Sequence, residues 1–189
     1  MMEKLTTNVR VDHRRSGFTL IELVVTLAIS SILLSIAVPS FTNLLMNNRA
    51  TAQVNGLLNA MNFARASALT KHVNVSVCPL GALNSVTCGT SWAAGWIITT
   101  QPPTGTSVLL QSYQIGPKGP VLSAVAINGT SATSVLFDPR GLSGTPANFK
   151  LCDSRGSNYA RSLQVLATGS SQLGVTQGQA IWGGALSCP

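Results

Sequence analysis

The chain has 189 residues and a formal net charge of +7; 45 % of its residues are apolar and only 9 % are charged. This composition excludes a disordered chain, which is usually rich in charge and poor in apolar residues, and a coiled coil, which needs charged residues beside its apolar seam. Two histidines and five acidic residues leave little material for acid–base or metal chemistry, so we predict no catalytic residue, no metal site and no cofactor.

The N-terminal segment indicates the class of protein. A polar, basic stretch, Met1–Gly17, precedes an apolar run, Phe18–Phe41, whose single charge is Glu22. As a helix this run would be about 36 Å long, enough to cross a hydrocarbon core of about 30 Å. Because basic flanks stay in the cytoplasm, we expect the rest of the chain to face the periplasm or the exterior.

Three interpretations of this segment compete. A secretory signal peptide would be cut after Ala37, a plain anchor would stay uncut, and a prepilin leader would be cut between Gly17 and Phe18. Glu22 favours the prepilin leader. A carboxylate in an apolar segment costs a few kcal/mol, and neither a signal peptide nor a plain membrane anchor gains anything from it. After cleavage, the new amine of Phe18 lies on the helix face of Glu22, whose carboxylate can meet this amine or a neighbour's.

The stretch Gly17–Glu22, GFTLIE, resembles the leader-peptidase motif of type IV pilins and type II secretion pseudopilins. The resemblance implies cleavage after Gly17 by a prepilin peptidase, N-methylation of Phe18 and a role for Glu22 in subunit registration. It implies a filament whose core is built from such helices, with Pro39 in the stretch that melts when subunits pack. One helix would hold the chain in the inner membrane, with a periplasmic head, before it enters a pilus at the cell surface.

Beyond Pro39 the apolar side chains follow the three-and-four spacing of an amphipathic helix. We predict one helix from residue 18 to about residue 70 whose second half lies on a sheet, and we expect Met61 and Phe63 in the core. The predicted stripe consists of Val54, Leu57, Leu58, Met61, Ala64 and Ala68.

After Lys71 the composition changes to Gly, Ser, Thr and Val, which indicates short strands separated by turns. Asn128-Gly129 is a hairpin signal, Asp138–Gly141 a turn and 102–105 a loop. The candidate strands are Val73–Cys78, Trp96–Thr100, Val108–Ile115, Val121–Ile127, Ser134–Asp138, Phe149–Asp153 and Arg161–Ala167.

These elements predict an α+β fold of the type IV pilin kind, a long N-terminal helix packed on antiparallel β-sheets. We divide the chain into a leader peptide, 1–17, a helix, 18–71, and a β-rich head, 72–189. The part of the helix from 18 to 41 would lie in the membrane or in the filament core.

Segments of the head resemble minor pilins of the GspH/FimT family. The segments are Phe63–Leu69 at the helix end with the Val-rich strand ending in Cys78, Trp92–Trp96, Phe137–Gly141, Phe149–Asp153 and Arg155-Gly156. We expect Trp92 and Trp96 to serve core and edge packing.

Four cysteines lie in the part predicted to be periplasmic: Cys78, Cys88, Cys152 and Cys188. An even count in an oxidising compartment suggests two disulfides, for which three connectivities are possible. We favour Cys78–Cys88, which closes a short loop, and Cys152–Cys188, which ties the C-terminal segment to a strand. A zinc site would need a closer pairing such as Cys-x-x-Cys, which is absent.

Two classes of function remain. As a non-enzymatic structural subunit, the chain would initiate or support type IV pilus assembly, with other minor and major pilins as partners and a tip adhesin as a further candidate. A minor pseudopilin of a type II secretion system would share the same leader and head. We favour the pilus.

The second class is a DNA-binding pilin for DNA uptake. Lys150, Arg155 and Arg161 would contact phosphates if they share a face. Some members of the family carry a Gly-Arg-x-Arg motif near the C-terminus, but the matching stretch here, Gly169–Gln172, has no arginine. We therefore do not favour DNA as a partner.

Overall fold

The computed structural model describes residues 17–117 and 119–188, so residues 1–16 of the predicted leader, Lys118 and Pro189 lie outside the described residues. The chain divides into two compact units, Met1–Thr42 and Asn43–Pro189, which are described separately below. The first unit contains the N-terminal part of a long helix, and the second contains the rest of that helix with all the strands.

Helix α1 spans Leu20–Lys71 and continues through Pro39. It begins two residues later than the apolar run does. It ends at Lys71 because the next residue, His72, has a φ of 54°, a left-handed conformation that terminates many helices.

Within the second unit, α1 buries one stripe of side chains, which includes Val54, Leu57, Met61, Ala64 and Ala68 as predicted. Leu58 is only partly buried. The expectation for Phe63 is wrong, because its side chain is 38 % exposed. Phe63 follows Met61 by two residues and is therefore turned by about 200° around the helix axis, away from the core.

Within the described residues, the head contains eight strands in two antiparallel sheets. Sheet 1 has the order β3-β2-β1-β5 and sheet 2 the order β4-β6-β7-β8. The strands are β1 (Asn74–Pro79), β2 (Gly95–Gln101), β3 (Leu109–Gln114), β4 (Val121–Ala126), β5 (Val135–Phe137), β6 (Ala147–Cys152), β7 (Arg161–Val165) and β8 (Ser171–Leu173). The predicted fold class is confirmed, and each of the seven predicted strands has a counterpart, whereas β8 was not predicted.

The hairpin signal at Asn128-Gly129 produces a tight turn but not a full hairpin. Gly129 has a φ of 87°, and the backbone N–H of Thr130 donates to Asn128 Oδ1 at 3.2 Å. Only one bridge, Val125 to Ser131, pairs the returning chain with β4. The next strand, β5, instead pairs with β1 in the other sheet, because its buried Val135 and Phe137 complete the core there.

One hydrophobic core joins the stripe of α1 to both sheets. Trp92 is buried in it, edge-on to Phe149 with ring centroids 4.9 Å apart, and its Nε1 donates to the carbonyl oxygen of Ala132 at 2.6 Å. Trp96 is also buried and stacks on Tyr113 with centroids 4.4 Å apart. Both tryptophans therefore serve packing.

Candidate functional site

The first turn of α1 contains Glu22, the residue that separates the three interpretations of the N-terminus. The backbone N–H of Glu22 donates to Thr19 Oγ1 at 3.2 Å, and the backbone N–H of Leu23 donates to the carbonyl oxygen of Thr19 at 3.2 Å. A threonine in this position satisfies free N–H groups at a helix start, and a carboxylate there interacts favourably with the helix dipole. Gly17 and Phe18 precede the helix and are exposed.

The apolar side chains of α1 in the first unit are largely exposed among the described residues. More than half of the surface of most of them is exposed. By length and composition alone, the helix could cross a membrane. Those more than half exposed are Leu20, Ile21, Leu23, Leu27, Ile29, Ile32, Leu33, Leu34, Ile36, Val38 and Phe41.

The hydroxyl groups of this segment are bonded to the helix itself. Thr26 Oγ1 donates to the carbonyl oxygen of Leu23 at 2.9 Å, and Ser30 Oγ donates to that of Thr26 at 2.7 Å. Ser31 and Ser35 make the same kind of bond. Such bonds satisfy hydroxyl groups locally, as an apolar environment requires.

In the second unit, a buried ion pair fastens the head to the helix. Arg155 Nη2 lies 2.6 Å from Asp153 Oδ2, and each side chain is only 10 % exposed. Arg155 Nη1 also donates to Asn47 Oδ1 at 2.9 Å, and the guanidinium lies 4.2 Å from the ring centre of Tyr159. No sequence pattern predicts this role for Arg155, because its partner on the helix, Asn47, lies 108 positions away along the chain.

The pKa of the Asp153 carboxyl reflects this pair. Burial acts to raise the pKa, but hydrogen bonds from the side chain and backbone of Arg155, together with its charge, outweigh burial and lower the pKa below the ordinary value. The pKa of Arg155 is raised, chiefly by its side-chain hydrogen bond to Asp153. Both groups are therefore charged at neutral pH.

The other two cations suggested for DNA also have intramolecular partners. Lys150 Nζ donates to the carbonyl oxygen of Ser187 at 2.7 Å, and Arg161 Nη2 donates to Thr51 Oγ1 on α1 at 3.2 Å. Lys150 lies opposite Ser162 in the β6–β7 register, so the adjacent Arg161 points to the other face of sheet 2. The condition that the three residues share a face is not met, and phosphate contacts by them stay a prediction.

A further arginine that the sequence did not single out joins three segments. Arg65 Nε donates to the carbonyl oxygen of Gly141 at 2.9 Å, and Arg65 Nη2 donates to that of Thr168 at 3.2 Å. Arg65 therefore brings together Phe63–Leu69 and Phe137–Gly141, two of the segments quoted above for a family resemblance. In the sequence, the signal for such a role was its place next to Ala64, a member of the predicted apolar stripe.

Two disulfides are present, in the pairing favoured above. Cys78 and Cys88 have Cα atoms 5.6 Å apart, and Cys152 and Cys188 have Cα atoms 5.9 Å apart. The second disulfide packs with Ala160 and Leu186 in a small apolar cluster. Among the described residues, no group of three or more His, Cys, Asp and Glu side chains could hold a metal ion.

Comparisons with known proteins address both units. A family model described as "Type II transport protein GspH" matches residues 53–169. A model of the prokaryotic N-terminal methylation motif matches residues 12–38. No curated protein sequence matches the chain.

Solved structures with a similar fold include the type IV minor pilin FimU of Pseudomonas aeruginosa strain PAO1. Its crystal structure in space group P21 is 20 % identical, covers 67 % of this chain and 89 % of that chain, and superposes with a TM-score of 0.51. A second crystal form, P65, is 19 % identical, covers 66 % and 91 %, and gives a TM-score of 0.49. At such identities the similarity concerns the fold.

Proposed function

Because the chain belongs to the GspH family and carries a prokaryotic N-terminal methylation motif, we propose that it is a minor pilin, a structural subunit that initiates or supports a type IV pilus. The observation that carries this proposal is the exposed apolar helix of the first unit, whose single charged residue is Glu22 in its first turn. Such a surface needs lipid or other helices around it.

Glu22 explains how helices of this kind are set in register. Lipid tails are as apolar as the leucine-rich surface of the helix, so apolar contact alone drives helix association only weakly in a membrane. A carboxylate in that environment costs a few kcal/mol unless it is paired. An α-amine on Phe18 of an adjacent subunit offsets this cost at one axial position only, which fixes the stagger of neighbouring helices.

Processing precedes this pairing, because the amine exists only after cleavage. Gly17 and Phe18 lie outside the helix and are exposed, which supports cleavage between them by a prepilin peptidase in the membrane, followed by N-methylation of Phe18. Pro39 has no backbone N–H and so leaves one helical hydrogen bond unmade. This weak point supports a local opening of the helix when subunits pack.

A minor pseudopilin of a type II secretion system is the second candidate. The family description, a type II transport protein, favours it directly. The chemistry of the N-terminus would be the same in both systems, and only the neighbouring subunits would differ. Counting surface pili and measuring secreted enzyme in one deletion strain separates the two candidates.

The experiment that tests the assembly function compares Glu22→Ala with Thr26→Ala. Thr26 lies one turn later on the same helix, and its hydroxyl donates to the carbonyl oxygen of Leu23 in the same helix. We expect Glu22→Ala to be cleaved and inserted in the membrane but to abolish filaments, and Thr26→Ala to assemble normally. Normal filaments from Glu22→Ala, or a mature N-terminus at Val38 in mass spectrometry, would contradict the proposal.

A further inference from the structure

A continuous groove joins α1 to sheet 2 in the head. Three adjoining cavities form it, with volumes of about 420, 560 and 350 Å³. The first and second cavities share Arg49 and Pro120 as lining residues, and the second and third share Val121 and the Cys152–Cys188 disulfide. Because neighbouring cavities share walls, one extended segment could lie along all three. We call the three cavities together the basic groove.

The walls of the basic groove are mostly apolar and partly open to solvent. Met46 of α1 and Ile115 are partly buried, and Val121 of β4 is 52 % exposed. An exposed apolar surface with polar groups at its rim is typical of a site that binds another protein. Covering these side chains would remove apolar area from water, which favours association.

Two cations line the basic groove at different points. Arg49 lines the first and second cavities, and its exposed side chain has no hydrogen bond to the described residues. Lys150 lines the third cavity. Its Nζ donates to the carbonyl oxygen of Ser187 at 2.7 Å, and an ammonium group has three N–H donors, so two remain for a partner. The groove therefore offers anionic groups two separate binding positions.

The other charged groups at the basic groove leave its charge positive. Asp153 lines the second cavity, but its carboxylate is paired with Arg155, and each of these side chains is only 10 % exposed. The pair therefore adds no net charge. In the sequence, the segment between β3 and β4 adds Lys118 and no acidic residue. A bound partner would have to supply the negative charge.

The side-chain carboxylates of this chain do not supply it. Glu3 and Asp12 lie in the predicted leader, and the proposed function assigns Glu22 to pairing with an N-terminal amine. The other two acidic residues, Asp138 and Asp153, each accept hydrogen bonds from the backbone and the side chain of the arginine two residues later. A second copy of this chain therefore has no unpaired side-chain carboxylate in its described head, which favours a different protein as the partner.

Two other classes of anion match the basic groove less well. A nucleic acid is held by many phosphate contacts, whereas this groove has two cations among the described residues. Its apolar walls would also remove water from phosphates without replacing the lost hydrogen bonds. A lipid headgroup carries its charge at one point, whereas Arg49 and Lys150 line different cavities. A protein segment that combines carboxylates with apolar side chains fits both the cations and the walls.

We propose that the basic groove binds an acidic, apolar segment of a different pilin-type subunit. Carboxylates of this segment would pair with Arg49 and Lys150, and its apolar side chains would cover Met46 and Val121. Complementary charge would also select the neighbour, because two basic surfaces repel one another. The inference rests on the proposed function, since a filament or pseudopilus brings different subunits together.

The first experiment reverses one charge of the basic groove. Arg49→Glu would repel the carboxylates of the partner. Lys71→Glu is the matched control, because it makes the same change of charge at an exposed residue of the same helix that does not line the groove. We expect Arg49→Glu to reduce assembly at least tenfold in cells, while Lys71→Glu assembles normally and both variants form both disulfides. Normal assembly of a folded Arg49→Glu variant would overturn the proposal.

A second measurement identifies the partner and decides the question even if Arg49→Glu fails to fold. A photo-crosslinking amino acid is placed at Val121 of the otherwise native full-length chain in cells, and a second one at Val175, which is 96 % exposed and does not line the groove, as a control. We expect a product from Val121, mapped by mass spectrometry to a segment of another pilin-type subunit that contains Asp or Glu, and no such product from Val175. Replacing that acidic residue by Lys should restore the assembly of Arg49→Glu.

The cross-linked product also separates the alternative occupants of the groove. A product with a second copy of this chain, with a lipid or with a nucleic acid would overturn the proposal. A mapped segment without an acidic residue, or no product from Val121, would overturn it as well.

The two proposals fail in different ways. If Glu22→Ala assembles normally, the filament function is wrong. If Glu22→Ala abolishes assembly but a folded Arg49→Glu variant assembles like Lys71→Glu, only the binding of a partner at the basic groove is wrong.

Discussion

Gly169 packs directly against the backbone of Gly141, and a Cβ atom on Gly169 would overlap with the carbonyl oxygen of Gly141. The same oxygen accepts the hydrogen bond from Arg65 Nε. The close approach of two turns that lie far apart in the sequence therefore lets one arginine of α1 hold both. Glycine is required at 169 for space as well as for its φ of 74°.

The first prediction concerns this contact. Gly129 also has a positive φ, but a Cβ there would meet nothing within 4 Å. Gly129→Ala should lower the free energy of unfolding by about 1–2 kcal/mol, which is the cost of holding an alanine in the left-handed backbone conformation. Gly169→Ala should cost about 3 kcal/mol or more, because the turns must also separate. Urea unfolding of the full-length protein in detergent, followed by the fluorescence of its buried tryptophans, checks this order. Equal losses would contradict it.

The second prediction concerns Arg65. Arg65→Met keeps the aliphatic stem but removes the donors to the carbonyl oxygens of Gly141 and Thr168, and hydrogen bonds from charged groups contribute about 1.5–3 kcal/mol. Arg49→Met is the control, because Arg49 is exposed on the same helix and has no side-chain hydrogen bond to the described residues. The same unfolding measurement should show a loss for Arg65→Met and almost none for Arg49→Met. A loss of similar size in both variants would show that the bonds of Arg65 are unimportant.

The third prediction concerns pH. The pKa of Asp153 is lowered in the folded state, so the stabilisation from its pair with Arg155 is present above the ordinary aspartate pKa of about 3.9 and is lost as pH falls through the folded value. Asp153→Asn leaves a buried arginine unpaired and should lose about 3 kcal/mol at pH 7.

The difference in the free energy of unfolding between Asp153→Asn and the unaltered protein should shrink as pH falls below about 4, and it should be lost once pH has fallen through the lowered pKa of Asp153. Asp138 also has a lowered pKa, chiefly because the N–H of Leu142 donates to it, and it adds to acid destabilisation in both proteins alike. The difference between the two unfolding curves therefore isolates Asp153. A difference that stays constant from pH 7 to pH 2 would rule out the ion pair as its source.

The fourth prediction compares the two disulfides. Cys78–Cys88 closes a separation of 10 residues and Cys152–Cys188 one of 36. The chain-entropy relation then gives losses of about 3 and about 4 kcal/mol when each pair is replaced by serine. Cys152→Ser with Cys188→Ser should therefore be the less stable double variant in unfolding experiments, and it also removes part of the cluster around Leu186. The reverse order of stability would show that loop length does not determine which disulfide contributes more to stability.

Local patterns predicted most of the fold. The three-and-four spacing of Val54, Leu57 and Met61 reports directly which face of α1 is buried, and turn residues bound most strands. The prediction for Phe63 is wrong because an apolar side chain at this angular position on the helix lies outside the buried stripe. Strand β8 was missed because Ser171–Leu173 is short, and pairing with β7 determines it rather than any pattern of its own.

The contacts of the charged side chains could not be predicted in the same way. Whether Arg155 faces solvent or α1 depends on Asn47, which is 108 positions earlier, and the partners of Arg65 lie 76 and 103 positions away. A periodic pattern of apolar residues along a short segment cannot report contacts between residues so far apart in the sequence. The N-terminal segment is the opposite case, because Glu22 and the amine that the proposed cleavage would create at Phe18 are close in sequence, so a short motif can contain all the residues concerned.

The side-chain hydrogen bonds between α1 and the rest of the head also have a mechanical consequence. They are distributed along about 27 Å of helix axis, at about 1.5 Å per residue. A pull along this axis would strain all of them together in shear, so the load would be divided among them, whereas a sideways pull would break them one at a time. The head is thus built to resist tension along the direction of its helix. The residues of α1 that make these hydrogen bonds are Asn47, Thr51, Gln53 and Arg65.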